Sequence, residues 1–131
     1  MDIGEPHILL VDDDAITLAV LEKMLTSLEF KTTAVTSGEK AFMLLEKCPS
    51  KFSAIILDRM MPKMSGIDFL HKIYSTPELR QIPIIMLTSH AKREDVSAAV
   101  IAGVFDFLYK PIDQELLHLV LKRALSKQTP A

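Results

Sequence analysis

Cysteine is almost missing from this chain. Cys48 is the one cysteine in 131 residues, so no internal disulfide can form, and the Cys/His spacings of a zinc site do not occur. Cys48 itself reads as a small apolar residue near a helix end. An excess of charge of one sign is lacking too. Fifteen basic residues against 17 acidic ones leave a formal net charge of −2, a field that favours binding to neither nucleic acid nor an anionic membrane. No apolar run is long enough to span a bilayer. The first six residues hold two acids and no base ahead of the apolar stretch, the reverse of a secretory signal. These absences point to a soluble, cytoplasmic protein with no direct nucleic-acid or membrane contact.

What is present is apolar and ordered by period. Hydrophobic residues make up 49% of the chain, which excludes a disordered class. The length suits one domain with a self-sufficient core. We expect that domain over residues 1–126, with 127–131 a frayed tail or the start of a linker. No internal repeat or low-complexity stretch interrupts it.

Short apolar runs alternate with helical patterns. His7 to Val11 reads as a strand running into three aspartates. Ala15 to about Leu28 reads as a helix, with Val20, Leu21, Met24, Leu25 and Leu28 at helical spacing. Phe30 to Val35 reads as a second strand, and Ser37 caps a helix to about Lys47. Ala54 to Leu57 is a continuous apolar run ending in Asp58, and Ser65 caps a third helix from Gly66 to about Tyr74. A loop with two prolines spans Ser75 to Pro83. Ile84 to Leu87 is a fourth strand ending in Thr88. A fourth helix is expected from about Lys92 to Ala102 with Gly103 at its C-terminal cap. A fifth strand follows over Val104 to Tyr109, and a last helix from about Asp113 to Ser126. The expected fold class is therefore α/β, a (βα)5 chain. Strands apolar on both faces imply a doubly wound, five-stranded parallel sheet with helices on either side, the flavodoxin-like topology.

The polar residues that break these runs carry the chemistry. Asp12 and Asp13 end the first strand, Asp58 the third, Thr88 the fourth and Lys110 the fifth. Open α/β sheets bind ligands at the carboxyl ends of their strands, so the fold would gather these distant residues. Three carboxylates in one pocket repel each other. A divalent cation relieves the repulsion, and magnesium suits an all-oxygen set, whereas the lack of His and Cys argues against zinc. One carboxylate can then act as a nucleophile toward a phosphoryl group, with Lys110 and Thr88 binding its oxygens.

Five segments in order, Ile8-Leu9-Leu10-Val11-Asp12-Asp13-Asp14, Ile56-Leu57-Asp58-Arg59-Met60-Met61-Pro62 with Gly66, Ile84-Ile85-Met86-Leu87-Thr88-Ser89, Ala102-Gly103 with Asp106, and Lys110-Pro111, carry a family likeness. The chain resembles the receiver domains of bacterial two-component response regulators, of the chemotaxis-receiver type, from His7 to about Leu125. The resemblance implies a phosphorylation-activated signalling switch rather than an enzyme. Asp58 would be the phosphoacceptor, with Thr88 as the switch hydroxyl and Lys110 as the lysine that pairs with the phosphoryl group. Mg2+ would be held by Asp12, Asp13, Asp58 and the backbone carbonyl of Met60, Asp13 being the more direct ligand of the acidic pair. A cis Lys110-Pro111 bond, frequent in the family, would aim the lysine. Phe107 matches the switch aromatic, a position frequently Tyr in the family, so a phenolic hydroxyl is missing here.

The same resemblance implies a sensor histidine kinase or histidine phosphotransfer protein as phosphodonor. It also implies a face of fourth helix, fifth strand and fifth helix that dimerises or contacts an output partner. Lys92, Arg93, Phe105, Tyr109 and Gln114 are candidates on that face. His90 and Met60 are candidates for tuning the lifetime of the phosphorylated state, the alternative for His90 being an exposed loop residue. His7, His71 and His118 read as surface or helix-face residues, and Asp14 as a helix cap.

Other classes share the topology. A flavodoxin-type cofactor site wants Ser, Thr or Gly after the first strand, where Asp12-Asp13-Asp14 would repel a phosphate. Phosphatases working through an aspartyl phosphate place a second Asp two residues beyond the nucleophile, where this chain has Met60. A phosphorylation-independent protein-binding module on the same fold remains the alternative function.

Overall fold

The computed structural model describes residues 6–59, 64–89, 100 and 103–126. Five strands form one parallel sheet: β1 (His7–Val11), β2 (Lys31–Val35), β3 (Ala54–Asp58), β4 (Ile84–Thr88) and β5 (Asp106–Tyr109). Four helices lie among the described residues: α1 (Ala15–Ser27), α2 (Gly38–Lys47), α3 (Gly66–Tyr74) and α4 (Gln114–Ser126). The helix expected over about 92–102 lies outside the described residues except for Val100.

The apolar runs sort themselves by the two-residue period of a strand. Leu9, Val11, Ile55, Leu57, Ile84 and Met86 face one side and pack with Ala41, Phe42 and Leu45 of α2 and Phe69, Leu70 and Ile73 of α3. Their neighbours Ile8, Leu10, Ala54, Ile56, Ile85, Leu87 and Leu108 face the other side, against Leu18, Leu21 and Leu25 of α1 and Leu117, Val120, Leu121 and Ala124 of α4. Covering both faces explains why β3 and β4 read as unbroken apolar runs rather than alternating ones. Each fully buried Leu or Ile stabilises the fold by about 1.5–3 kcal/mol.

The strand order is β2-β1-β3-β4-β5. The chain steps one way from β1 to β2 and then back past β1 to β3, so β1 and β3 flank the switch point where open α/β sheets form a crevice. Val11 pairs with Leu57, Asp58 with Leu87, and Thr88 with Tyr109. This register levels the carboxyl ends of the strands.

Helix ends follow local chemistry. Asp14, Ser37 and Ser65 accept the first free amides of α1, α2 and α3 from Ile16, Lys40 and Asp68, as the sequence led us to expect. Asp113 accepts the amides of Glu115 and Leu116, so it caps α4 rather than beginning it. Past α1, Glu29 takes a left-handed conformation (φ 69°). Its amide donates to the Thr26 carbonyl and that of Phe30 to the Leu25 carbonyl, 2.9 Å away. This double closure ends the helix and holds Phe30 out of β2, which begins one residue later than expected. Gly103 turns the chain with φ 103°, so β5 begins at Asp106 rather than at Val104. The Lys110-Pro111 bond is cis.

Two side chains differ from expectation. His7 is a half-buried strand residue, its Nε2 2.7 Å from Thr33 Oγ1 and its ring edge-on to Phe52. Burial, then the charges of Lys51 and Lys31, lower its pKa. Cys48 caps the C-terminus of α2 and is exposed. No described helix is long and apolar enough to cross a membrane.

Candidate functional site

Asp12 directly follows β1, where its backbone amide still donates to the Val35 carbonyl at 3.2 Å. It is therefore held as rigidly as a strand residue, and it is 1% exposed. One carboxylate oxygen, Oδ1, accepts the Asp14 amide at 2.9 Å. The other, Oδ2, is buried with no hydrogen-bond partner. Asp58 ends β3, is 6% exposed, and is the residue β3 aligns with Leu87. Asp13 is exposed at the mouth of the crevice. Carboxylate oxygens of Asp12, Asp13 and Asp58 lie within 4.8 Å of one another.

Lys110, directly after β5, closes the group. Its Nζ is 3.3 Å from Asp58 Oδ1 and 3.6 Å from Asp12 Oδ2. The Lys110 amide donates to the Thr88 carbonyl at 3.0 Å, which continues the β4–β5 ladder and sets the lysine stem beside buried Thr88. The Arg59 amide does the same across β3 and β4, donating to the Leu87 carbonyl at 3.0 Å.

One ammonium serves two buried carboxylates, and the acid–base balance reflects it. Burial, then the neighbouring charge of Asp12, raises the Asp58 pKa against the opposing pull of Lys110. Burial also raises that of Asp12, over the lowering effect of the Asp14 amide and Lys110. Lys110 loses solvation, which would lower its pKa, but Asp58 and Asp12 together move it upward. A buried carboxylate oxygen held only by an ion pair at 3.6 Å, with no hydrogen bond, is incompletely compensated, and three hard oxygen donors so close together match a small divalent cation. Asp12, Asp13 and Asp58 are thus the residues that could hold a metal ion.

A family model described as the response regulator receiver domain matches residues 8–122. The chain belongs to that family. Receiver domains are phosphorylation-dependent signalling switches rather than conventional enzymes. Among similar proteins, the two-component response regulator ORR5 of Oryza sativa subsp. japonica is 35% identical over 122 residues, 93% of this chain and 90% of its own. The signal receiver domain of a histidine kinase from Syntrophus aciditrophicus superposes with a TM-score of 0.86 at 30% identity, covering 96% of this chain and 94% of that one. The receiver domain of the sensor histidine kinase PA1611 from Pseudomonas aeruginosa, at 32% identity and a TM-score of 0.85, covers 94% and 99% respectively. That structure has a magnesium ion coordinated in its active-site cleft.

For this receiver, the structure brings Asp12, Asp13, Asp58, Thr88 and Lys110 to one edge of the sheet. Phe107, paired with Met86 across β4 and β5, is half-buried against the core that holds α2 and α3. Met60, His90, Lys92 and Arg93 lie outside the described residues. Two features escaped the sequence reading. Lys110 serves two carboxylates at once, which no spacing reveals. Gly66 stands against the backbone of Asp58, a contact that its place in the motif and after Ser65 did not reveal.

Proposed function

We propose that this receiver accepts a phosphoryl group on Asp58, with Mg2+ held by Asp12, Asp13, Asp58 and the Met60 carbonyl. The observation that carries the reading is the convergence of Asp12 and Asp58 on Lys110 at the switch point of the sheet. The buried Asp12 oxygen that lacks a hydrogen-bond donor supports a cation there. When bound, the ion neutralises charge on the carboxylates and the incoming phosphoryl group.

The donor is a phosphohistidine of a sensor histidine kinase or phosphotransfer protein. An Asp58 carboxylate oxygen forms the new O–P bond as the donor's P–N bond breaks, and the electron pair returns to the imidazole nitrogen. Lys110 moves from pairing two carboxylates to pairing the phosphoryl oxygens, and the Thr88 hydroxyl donates to one of them. Thr88 turning inward leaves room for the Phe107 ring, which alters the face formed by β5, α4 and the segment before them. Exposed Tyr109, Leu116 and Leu119 support a dimer or output contact on that face. On the opposite flank Ile16 and Val20 stand one turn apart on α1, 75% and 42% exposed, next to the site. This pair supports docking of the donor within reach of Asp58.

Amide NMR with Mg2+ and beryllofluoride, an aspartyl-phosphate mimic, tests the reading. Shifts at Asp58, Thr88 and Phe107 that need Mg2+ and vanish in Asp58→Ala are expected. A silent wild type refutes it and leaves a phosphorylation-independent binding module.

A further inference from the structure

Gly66 begins α3 and is buried. Its amide donates to the Arg59 carbonyl at 3.0 Å, closing the chain between β3 and α3. A Cβ at this position would lie 3.0 Å from the Arg59 Cα, 3.1 Å from the Asp58 carbonyl oxygen and 3.1 Å from the Met86 Cε. Two of those three atoms are backbone, and they belong to Asp58 and its neighbour. The third sits on β4, two residues ahead of Thr88. Gly66 is also free of any left-handed requirement, since the only described glycine with positive φ is Gly103. Intrinsic propensity would therefore favour Ala over Gly at this helical position. Close approach, not backbone freedom, is what demands glycine.

We infer that Gly66 is a positioning residue for the acid site: its missing side chain lets α3 press on the Asp58–Arg59 backbone and so sets where the Asp58 carboxylate stands relative to Asp12, Lys110 and a bound cation. The inference rests on the proposed phosphoacceptor site. A Cβ here would push the backbone that carries Asp58 by a few tenths of an ångström. A carboxylate displaced by that much no longer shares one ion with Asp12, since cation–oxygen distances in a magnesium site tolerate little error.

Gly38 supplies the control. It stands at the equivalent first position of α2, but the three atoms nearest a Cβ there are all side chain: the Met64 Sδ at 3.0 Å, the Phe69 ring at 3.4 Å and the Met64 Cβ at 3.5 Å. A methionine end swings aside. Gly38→Ala and Gly66→Ala thus make the same chemical change at the same helix position, and differ in whether Asp58 feels it.

The test titrates Mg2+ into wild type, Gly66→Ala and Gly38→Ala, followed by the amide shifts of Asp58 and Arg59, with thermal melts reporting stability. Wild type is the reference for the proposed function: no Mg2+ response there refutes that reading, and the Gly66 inference falls with it. With wild type responding, Gly66→Ala is expected to bind Mg2+ at least tenfold more weakly while folded, and to shift the Asp58 and Arg59 amides even without metal. Gly38→Ala is expected to keep wild-type affinity. A folded Gly66→Ala with wild-type affinity overturns the inference, as does an equal loss in Gly38→Ala. Should Gly66→Ala fail to fold, Gly66→Ala with Met86→Val removes the side-chain clash and keeps the backbone one. Weak Mg2+ binding in that folded double variant upholds the inference, and wild-type binding overturns it.

Discussion

Replacing Asp58 by Asn should make the metal-free protein more stable, although it removes an ion pair. Asp58 and Asp12 are 6% and 1% exposed and share a single ammonium, with Lys110 at 3.3 and 3.6 Å. In Asp58→Asn, Lys110 keeps Asp12, so one pair survives, while the burial penalty and the repulsion between the two carboxylates disappear. The raised pKa of Asp58 already sums these opposing effects and says that the charged form is disfavoured in the fold. Its folded pKa lies above the ordinary 3.8. Its contribution to stability is therefore fully present below that value and is lost as pH rises through the raised one. Replacing buried ionic groups by neutral ones of similar volume is often neutral or stabilising by about 1–4 kcal/mol. Because the Asp12–Lys110 pair survives and the lysine is partly solvated, we expect Asp58→Asn to gain about 1–2 kcal/mol at pH near 8, a Tm rise of roughly 3–8 °C. The gain should shrink toward zero as pH falls to about 4. Taking the difference between variant and wild type cancels Asp14 and His7, whose lowered values give the fold an opposite pH slope. Adding Mg2+ should reverse the order, because wild type at a hundredfold excess over Kd gains about 2.7 kcal/mol and the Asn variant less. Scanning calorimetry at four pH values, with and without Mg2+, measures all of this. A variant no more stable than wild type at pH 8 without metal, or a gap that widens toward acid, would refute the reasoning.

Lys110→Met should have the opposite sign, since it removes the ammonium that pairs with both carboxylates. We expect a loss of about 1–2 kcal/mol in urea unfolding at pH near 8, below the range for fully buried pairs because the lysine is partly solvated, and a smaller loss in Mg2+. Glu29→Gly should stabilise the protein by about 0.5–1 kcal/mol, since glycine takes the left-handed φ of 69° without a Cβ penalty. A lower urea midpoint in that variant would contradict the helix-end geometry. The lowered pKa of His7 means that its stabilising effect is present above the ordinary 6.5 and is lost as pH falls. Wild type should then lose more stability than His7→Phe between about pH 7.5 and 5.5, and parallel slopes in the two proteins would rule this out.

Much of this protein could be read from one dimension. The apolar runs at 8–11, 54–57 and 84–87 declare buried strands because a strand covered on both faces has no polar position to spare. Asp14, Ser37 and Ser65 announce helix starts because capping is a bond between near neighbours. The list of acid, hydroxyl and lysine at strand ends was legible for the same reason: a parallel sheet delivers every strand's carboxyl end to one edge. Boundaries such as Phe30 and Val104 were less so, since a left-handed turn at Glu29 or Gly103 decides them and its closing bonds are only partly written in residue type. Two matters were settled by tertiary structure alone. Lys110 bridges Asp12 and Asp58, residues 98 and 52 positions away in the chain, because the strand order sets β5 beside β4 and levels their ends. Gly66 lies against the Asp58 backbone because α3 packs back on the strand that precedes it. Sequence determines which groups reach the edge of the sheet, through patterns a few residues long. Distances between those groups depend on packing across the sheet, where a few tenths of an ångström decide whether carboxylates repel or share one ion.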